Sequence, residues 1–106
     1  MVAYVIARMT VHDAQKLREY ADLAAPHTAR FGGRYLARGG TLTNLEGTTC
    51  DDRVVVAEFP NKAAAVALFS DPDYQKVAEI RKVAATTQML TVIDGIEYTD
   101  LPGAGV

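Results

Sequence analysis

Three segments of this chain are apolar on both of their alternating faces, and that limits the folds open to it. In Val2–Thr10, the residues Ala3, Val5, Ala7 and Met9 share one side, and Val2, Tyr4 and Ile6 share the other, with Arg8 as the exception. Residues 53–59 read Arg-Val-Val-Val-Ala-Glu-Phe, and residues 88–94 read Gln-Met-Leu-Thr-Val-Ile-Asp. Such density of β-branched and apolar residues predicts strands. A sheet wet on one face alternates apolar with polar, and these strands do not. Val2, Tyr4, Ile6, Val54, Val56, Leu90 and Val92 form one expected apolar set. Ala3, Val5, Ala7, Val55, Ala57, Phe59, Met89 and Ile93 form the other. A chain of 106 residues has helix enough to cover only one of them. The expected solution is a homodimer in which sheet packs against sheet.

Between the strands the period changes. Asp13 is placed to cap a helix in which Ala14, Leu17, Ala21, Ala24, Thr28 and Phe31 recur every three or four residues. Pro26 falls inside that pattern and is expected to kink or restart the helix. Gly32-Gly33 ends it, and Gly33–Gly39 forms a short strand that Thr41–Glu46 could extend past a bulge. Asn61 caps an alanine-rich helix, and Asp71-Pro72 interrupts it and starts another. That last helix carries Tyr74, Val77, Ala78, Arg81 and Ala84 on one stripe. The order βαββαβ predicts an α+β, ferredoxin-like domain over residues 1–98, with a four-stranded antiparallel sheet and both helical layers on one face. Residues 99–106, small and Gly/Pro-rich, are expected to form a flexible tail.

Bulk properties narrow the function classes. A net charge of −2 argues against a dedicated nucleic-acid binder. No apolar run approaches the roughly 20 residues that span a bilayer. One cysteine, Cys50, makes no internal disulfide, which points to a reduced, cytoplasmic setting. Two separated histidines and one cysteine form no metal signature, and no cofactor is expected.

The candidate ligand groups are arginines and tyrosines. With simple alternation, Arg34, Leu36 and Arg38 share one face of their strand, and Arg8, Arg34, Arg38 and Glu58 gather on the sheet face away from the helices. A bulge would reverse part of that set. Paired guanidinium forks suit a carboxylate, enolate or phosphate. The competing explanation is that these charges pair with each other across the dimer seam. Tyr20, His27 and Tyr74 form a second set, in which His27 is the candidate base. No partnered acid for it is visible.

Phe31-Gly-Gly-Arg-Tyr-Leu-Ala-Arg-Gly-Gly40, Leu45-Glu-Gly47, Val54-Val-Val-Ala-Glu-Phe-Pro60, Ser70-Asp-Pro-Asp-Tyr74 and Arg81, in that order, resemble the domain-of-unknown-function family thirteen-thirty (DUF1330). The family's motif often places an aromatic residue or histidine before Gly-Gly, and here Phe31 stands there. The resemblance implies the dimeric α+β barrel superfamily. That superfamily includes cofactor-independent monooxygenases, muconolactone-isomerase-like proteins and haem enzymes of the chlorite-dismutase type. Its members bind ligands between sheet and helices or within the barrel. The leading expectation is a small cytoplasmic homodimer that binds a small anionic or aromatic metabolite. The alternatives are a cofactor-independent monooxygenase or isomerase, implied by the resemblance alone, and a structural or regulatory dimer without a ligand.

Overall fold

The computed structural model describes residues 1–96. Its elements are β1 (Ala3–Val11), α1 (Ala14–Arg30), β2 (Arg34–Arg38), β3 (Arg53–Phe59), α2 (Lys62–Ser70), α3 (Pro72–Ala84) and β4 (Ala85–Asp94). The strands form one antiparallel sheet in the order β2-β3-β1-β4. This is the expected ferredoxin-like α+β architecture. The tail expected at residues 99–106 lies outside the described residues.

Local chemistry sets the element ends. Asp13 accepts a hydrogen bond from the Lys16 N–H at 3.0 Å and starts α1. Asn61 caps α2 through the Ala64 N–H at 2.8 Å. Asp71 follows α2 and caps α3 through the Tyr74 N–H at 2.9 Å, with Pro72 in the first turn. Pro26 does not restart α1, which runs as one helix to Arg30. The carbonyl it leaves without an intrahelical donor belongs to Asp22, an exposed residue, where water can substitute. At the end of α1, Gly32 adopts φ +84°. A Cβ on Gly33 would lie 2.7 Å from the Phe59 ring and 2.8 Å from the Thr28 methyl group. Close packing of α1 on β3 therefore requires glycine at that position.

The helices cover the face that carries Ala3, Val5, Ala7 and Met9, all buried. Val5, Ala57, Phe59, Leu68, Tyr74 and Ala78 form the main core, and Ala7, Met9, Leu17, Ala84 and Ala85 continue it toward the start of β4. The opposite face holds Tyr4, Ile6, Val54 and Val56, all half-buried, and among the described residues no helix packs on it.

Two register shifts change the expected faces. In β2, Tyr35 pairs with Ala57 but Ala37 pairs with Val56, so Leu36 bulges out and Arg38 comes opposite Val55. Arg38 therefore projects to the helix side, whereas Arg34, opposite Glu58, keeps the open face. In β4, Tyr4 pairs with Ile93, Val5 with Val92 and Ala7 with Leu90. Leu90 and Val92 thus belong to the helix face, and Met89 and Ile93 to the open face, the reverse of the expected assignment. Strand β4 also begins at Ala85, earlier than Gln88, and absorbs a bulge opposite Arg8 and Met9. Thr41–Glu46 adds no strand. Asn44 closes that loop instead, donating to the Cys50 carbonyl and accepting from the Cys50 N–H, both at 2.9 Å. A side chain that satisfies backbone groups locally competes with ladder formation.

Candidate ligand-binding site

A cavity of about 60 Å³ lies between the covered face of the sheet and the helices. Its floor is apolar: Val5, Ala7, Ala57 and Phe59 from β1 and β3. Its polar groups come from four elements, α1, β2, β3 and α3. Tyr20 of α1 and Tyr74 of α3 meet hydroxyl to hydroxyl at 2.6 Å, with their rings edge-on at 6.4 Å. Phe69 packs edge-on against Tyr74 at 5.3 Å. Tyr35 of β2 pairs its hydroxyl with the Thr28 hydroxyl at 3.1 Å. Burial, and then the neighbouring Tyr74, push the Tyr20 phenol well above its ordinary pKa. Tyr20 is therefore a neutral hydroxyl at physiological pH and not a base.

Three guanidinium groups line this cavity. Arg38 lies 4.3 Å over the Tyr35 ring and donates to the Ala21 carbonyl. Arg53 opens β3 on the same side as Val55 and Ala57, and is half-buried. Burial, and then the cation on Arg38, pull the pKa of Arg53 below the usual guanidinium value. A guanidinium so perturbed still carries its charge at neutral pH. Arg81, on the buried stripe of α3, is only 8% exposed. Its Nη1 donates to the Thr87 hydroxyl at 2.7 Å, and its Nε is buried without an acceptor. Among the described residues none of these three arginines pairs with a carboxylate, and the cavity lining contains no Asp, Glu or His.

An open cleft of about 780 Å³ adjoins the cavity, bounded by α1 and the loop that leads into β3. Leu17, Ala21, Arg38 and Arg53 line both spaces. The outer wall is of mixed charge, with Arg18 on one hand and Asp22, Asp51 and Asp52 on the other. Asp52 is engaged by Arg8 at 2.8 Å and by the Thr10 hydroxyl at 2.9 Å. Charge thus becomes uniformly positive toward the inner end.

The expected site residues divide. Tyr20, Tyr74 and Arg38 come together at the cavity. His27 touches the edge of Tyr74, with ring centroids at 6.3 Å, but does not line the cavity. Arg34 and Glu58 stay on the open face and pair with each other at 3.3 Å. The expected cluster of Arg8, Arg34, Arg38 and Glu58 does not form, because the β2 bulge turns Arg38 away and Asp52 takes Arg8. Arg53 and Arg81 join the site without having been singled out. Their signals were in the chain: Arg53 shares the alternation of Val55 and Ala57, and Arg81 falls on the buried stripe of α3.

The family model for a domain of unknown function, DUF1330, matches residues 2–96. The chain belongs to the DUF1330 family. No curated protein matches it at a significant level. Among solved structures, this DUF1330 chain is similar to the RPA0582 protein of unknown function from Rhodopseudomonas palustris, with 22% identity and a TM-score of 0.73 over 91% of this chain and 83% of that one. It is also similar to SnoaB, a cofactor-independent oxygenase from Streptomyces nogalater, with 18% identity and a TM-score of 0.65 over 91% and 94% of the two chains. Rv0793 from Mycobacterium tuberculosis aligns at 20% identity with a TM-score of 0.65, over 92% and 97%. At these identities the likeness shows the fold alone, the ferredoxin-like α+β arrangement, and not the chemistry. Among the described residues no helix is long and apolar enough to cross a membrane.

Proposed function

We propose that this DUF1330 protein is a cytoplasmic homodimer that binds a small anionic metabolite, aromatic or otherwise apolar in its body, between its helices and its sheet. One observation carries the reading: Arg38, Arg53 and Arg81 converge on a tyrosine-lined cavity that, among the described residues, contains no carboxylate. Buried or half-buried cations are normally compensated by an anion. A charge-assisted hydrogen bond contributes about 1.5–3 kcal/mol, and association costs at least about 4 kcal/mol. Two guanidinium contacts therefore do little more than offset that cost, and the apolar walls must supply the rest of the affinity. The open sheet face supports the dimer, since each large apolar side chain buried there contributes about 1.5–3 kcal/mol.

A cofactor-independent oxygenase or isomerase is less well supported. Such an enzyme needs a base within hydrogen-bond reach of the reacting carbon or phenol. Among the described residues the inner cavity offers no Asp, Glu or His and Tyr20 is held protonated; the carboxylates lie in the outer cleft, at Asp22, Asp51 and Asp52.

A thermal-shift screen of aromatic and aliphatic carboxylates tests the binder. The expected result is a raised unfolding temperature with at least one class, lost in the Arg38→Gln/Arg53→Gln double variant. A screen with no response, together with arginine variants that alter only dimerisation, would contradict it.

A further inference from the structure

Resting on the reading of this cavity as a ligand site, we propose that Arg81 is its innermost anion anchor and that the ligand enters with a carboxylate foremost. Arg81 is more than nine-tenths buried. Its partner in the protein is a neutral hydroxyl, Thr87 Oγ1, and its Nε has no acceptor. A buried guanidinium served this sparsely is poorly compensated, and a planar, bidentate carboxylate is the complement of its fork. The Tyr20 ring lies 5.8 Å from the guanidinium carbon and walls one side of it.

The dimensions fix the direction of entry. The inner cavity, about 60 Å³, is far smaller than the space outside it, so the acid group goes inward and the body stays out. The adjoining cleft of about 780 Å³ lies within the range of small-molecule sites, roughly 300–1,000 Å³. Arg38 and Arg53 line both spaces, so they flank the passage between body and head. The Tyr20–Tyr74 pair has two O–H hydrogens. The contact between the hydroxyls uses one, which leaves the other to donate to a ligand oxygen.

Benzoate and benzamide share a shape and differ in charge, so they separate an acid site from an apolar one. The experiment follows the arginine Nε–H resonances of the whole protein by NMR during titration with each, with the Arg81 signal assigned by its loss in Arg81→Gln. Benzoate is expected to shift the Arg81 resonance saturably, and benzamide to leave it in place. In Arg81→Gln, benzoate should bind about tenfold more weakly or worse, the loss of one charge-assisted hydrogen bond, with benzamide nearly unaffected. If that variant does not fold, Arg81→Lys supplies the assignment, and the wild-type titration decides alone. Benzoate shifts at Arg38 and Arg53 with none at Arg81 would overturn the anchor and leave the binding reading intact. Inorganic phosphate acting on Arg81 where benzoate does not would overturn the carboxylate assignment. Silence of every cavity arginine toward both anions would overturn the binding reading and the anchor together.

Discussion

Asp71 serves two elements and one ion pair at once. It accepts the Tyr74 N–H at the start of α3 and pairs with Arg30 at 2.9 Å, which ties the end of α1 to the start of α3. The Tyr74 N–H, and then the Arg30 cation, hold its carboxyl below the ordinary carboxylate pKa. Hydrogen bonds from Arg8 and then Thr10 do the same for Asp52. A carboxyl depressed on folding stabilises above its unfolded pKa, near ~3.9, and that contribution is lost as pH falls through the folded value. The unfolding temperature is therefore expected to stay flat from about pH 7 to about pH 5 and to fall below about pH 4. Asn also caps helices, so Asp71→Asn should keep the cap, lose the charge and show a shallower acid fall. An unchanged fall in that variant would assign the acid limb to other groups. Single residues of this kind are legible in the sequence. Asp13, Asn61 and Asp71 cap where expected because a cap acts on backbone two or three positions away.

Elements are legible to the same extent, but their faces are not. The period of α1 and the stripe of α3 are local and appear as read. The side on which a strand residue lies depends on its partner, and the partners of β2 and β4 stand far away in sequence. One bulged residue at Leu36 carries Arg38 from the open face to the cavity under the helices, and no feature of Arg34–Arg38 by itself announces it. The β4 register likewise exchanges Leu90 and Val92 for Met89 and Ile93. The open face that results is specific enough to test. Ile6 and Val56 sit opposite each other at its centre, half-buried in the single chain. Ile6→Asp is expected to yield a folded monomer by sedimentation at micromolar concentration, with the helical circular-dichroism signal retained. A dimer that persists in that variant would place the interface elsewhere.

At the scale of the whole molecule, the sheet separates two tasks. One face carries Tyr4, Ile6, Val54 and Val56 beside the Arg34–Glu58 pair and suits a second copy. The other holds the helices and, beneath them, three arginines that pair with no carboxylate among the described residues. The site was only half legible because it is assembled from α1, β2, β3 and α3, and its charges are recognisable as a group only once the bulge and the α3 stripe bring them together. On the proposed function, those arginines wait for an anion from outside the chain. The most direct measurement is a crystal structure of the protein grown with benzoate. The predicted result is a carboxylate within hydrogen-bond reach of Arg81, with the ring extending past Arg38 and Arg53 into the cleft. A dry, closed cavity in which all three arginines pair with carboxylates of a second copy would contradict it.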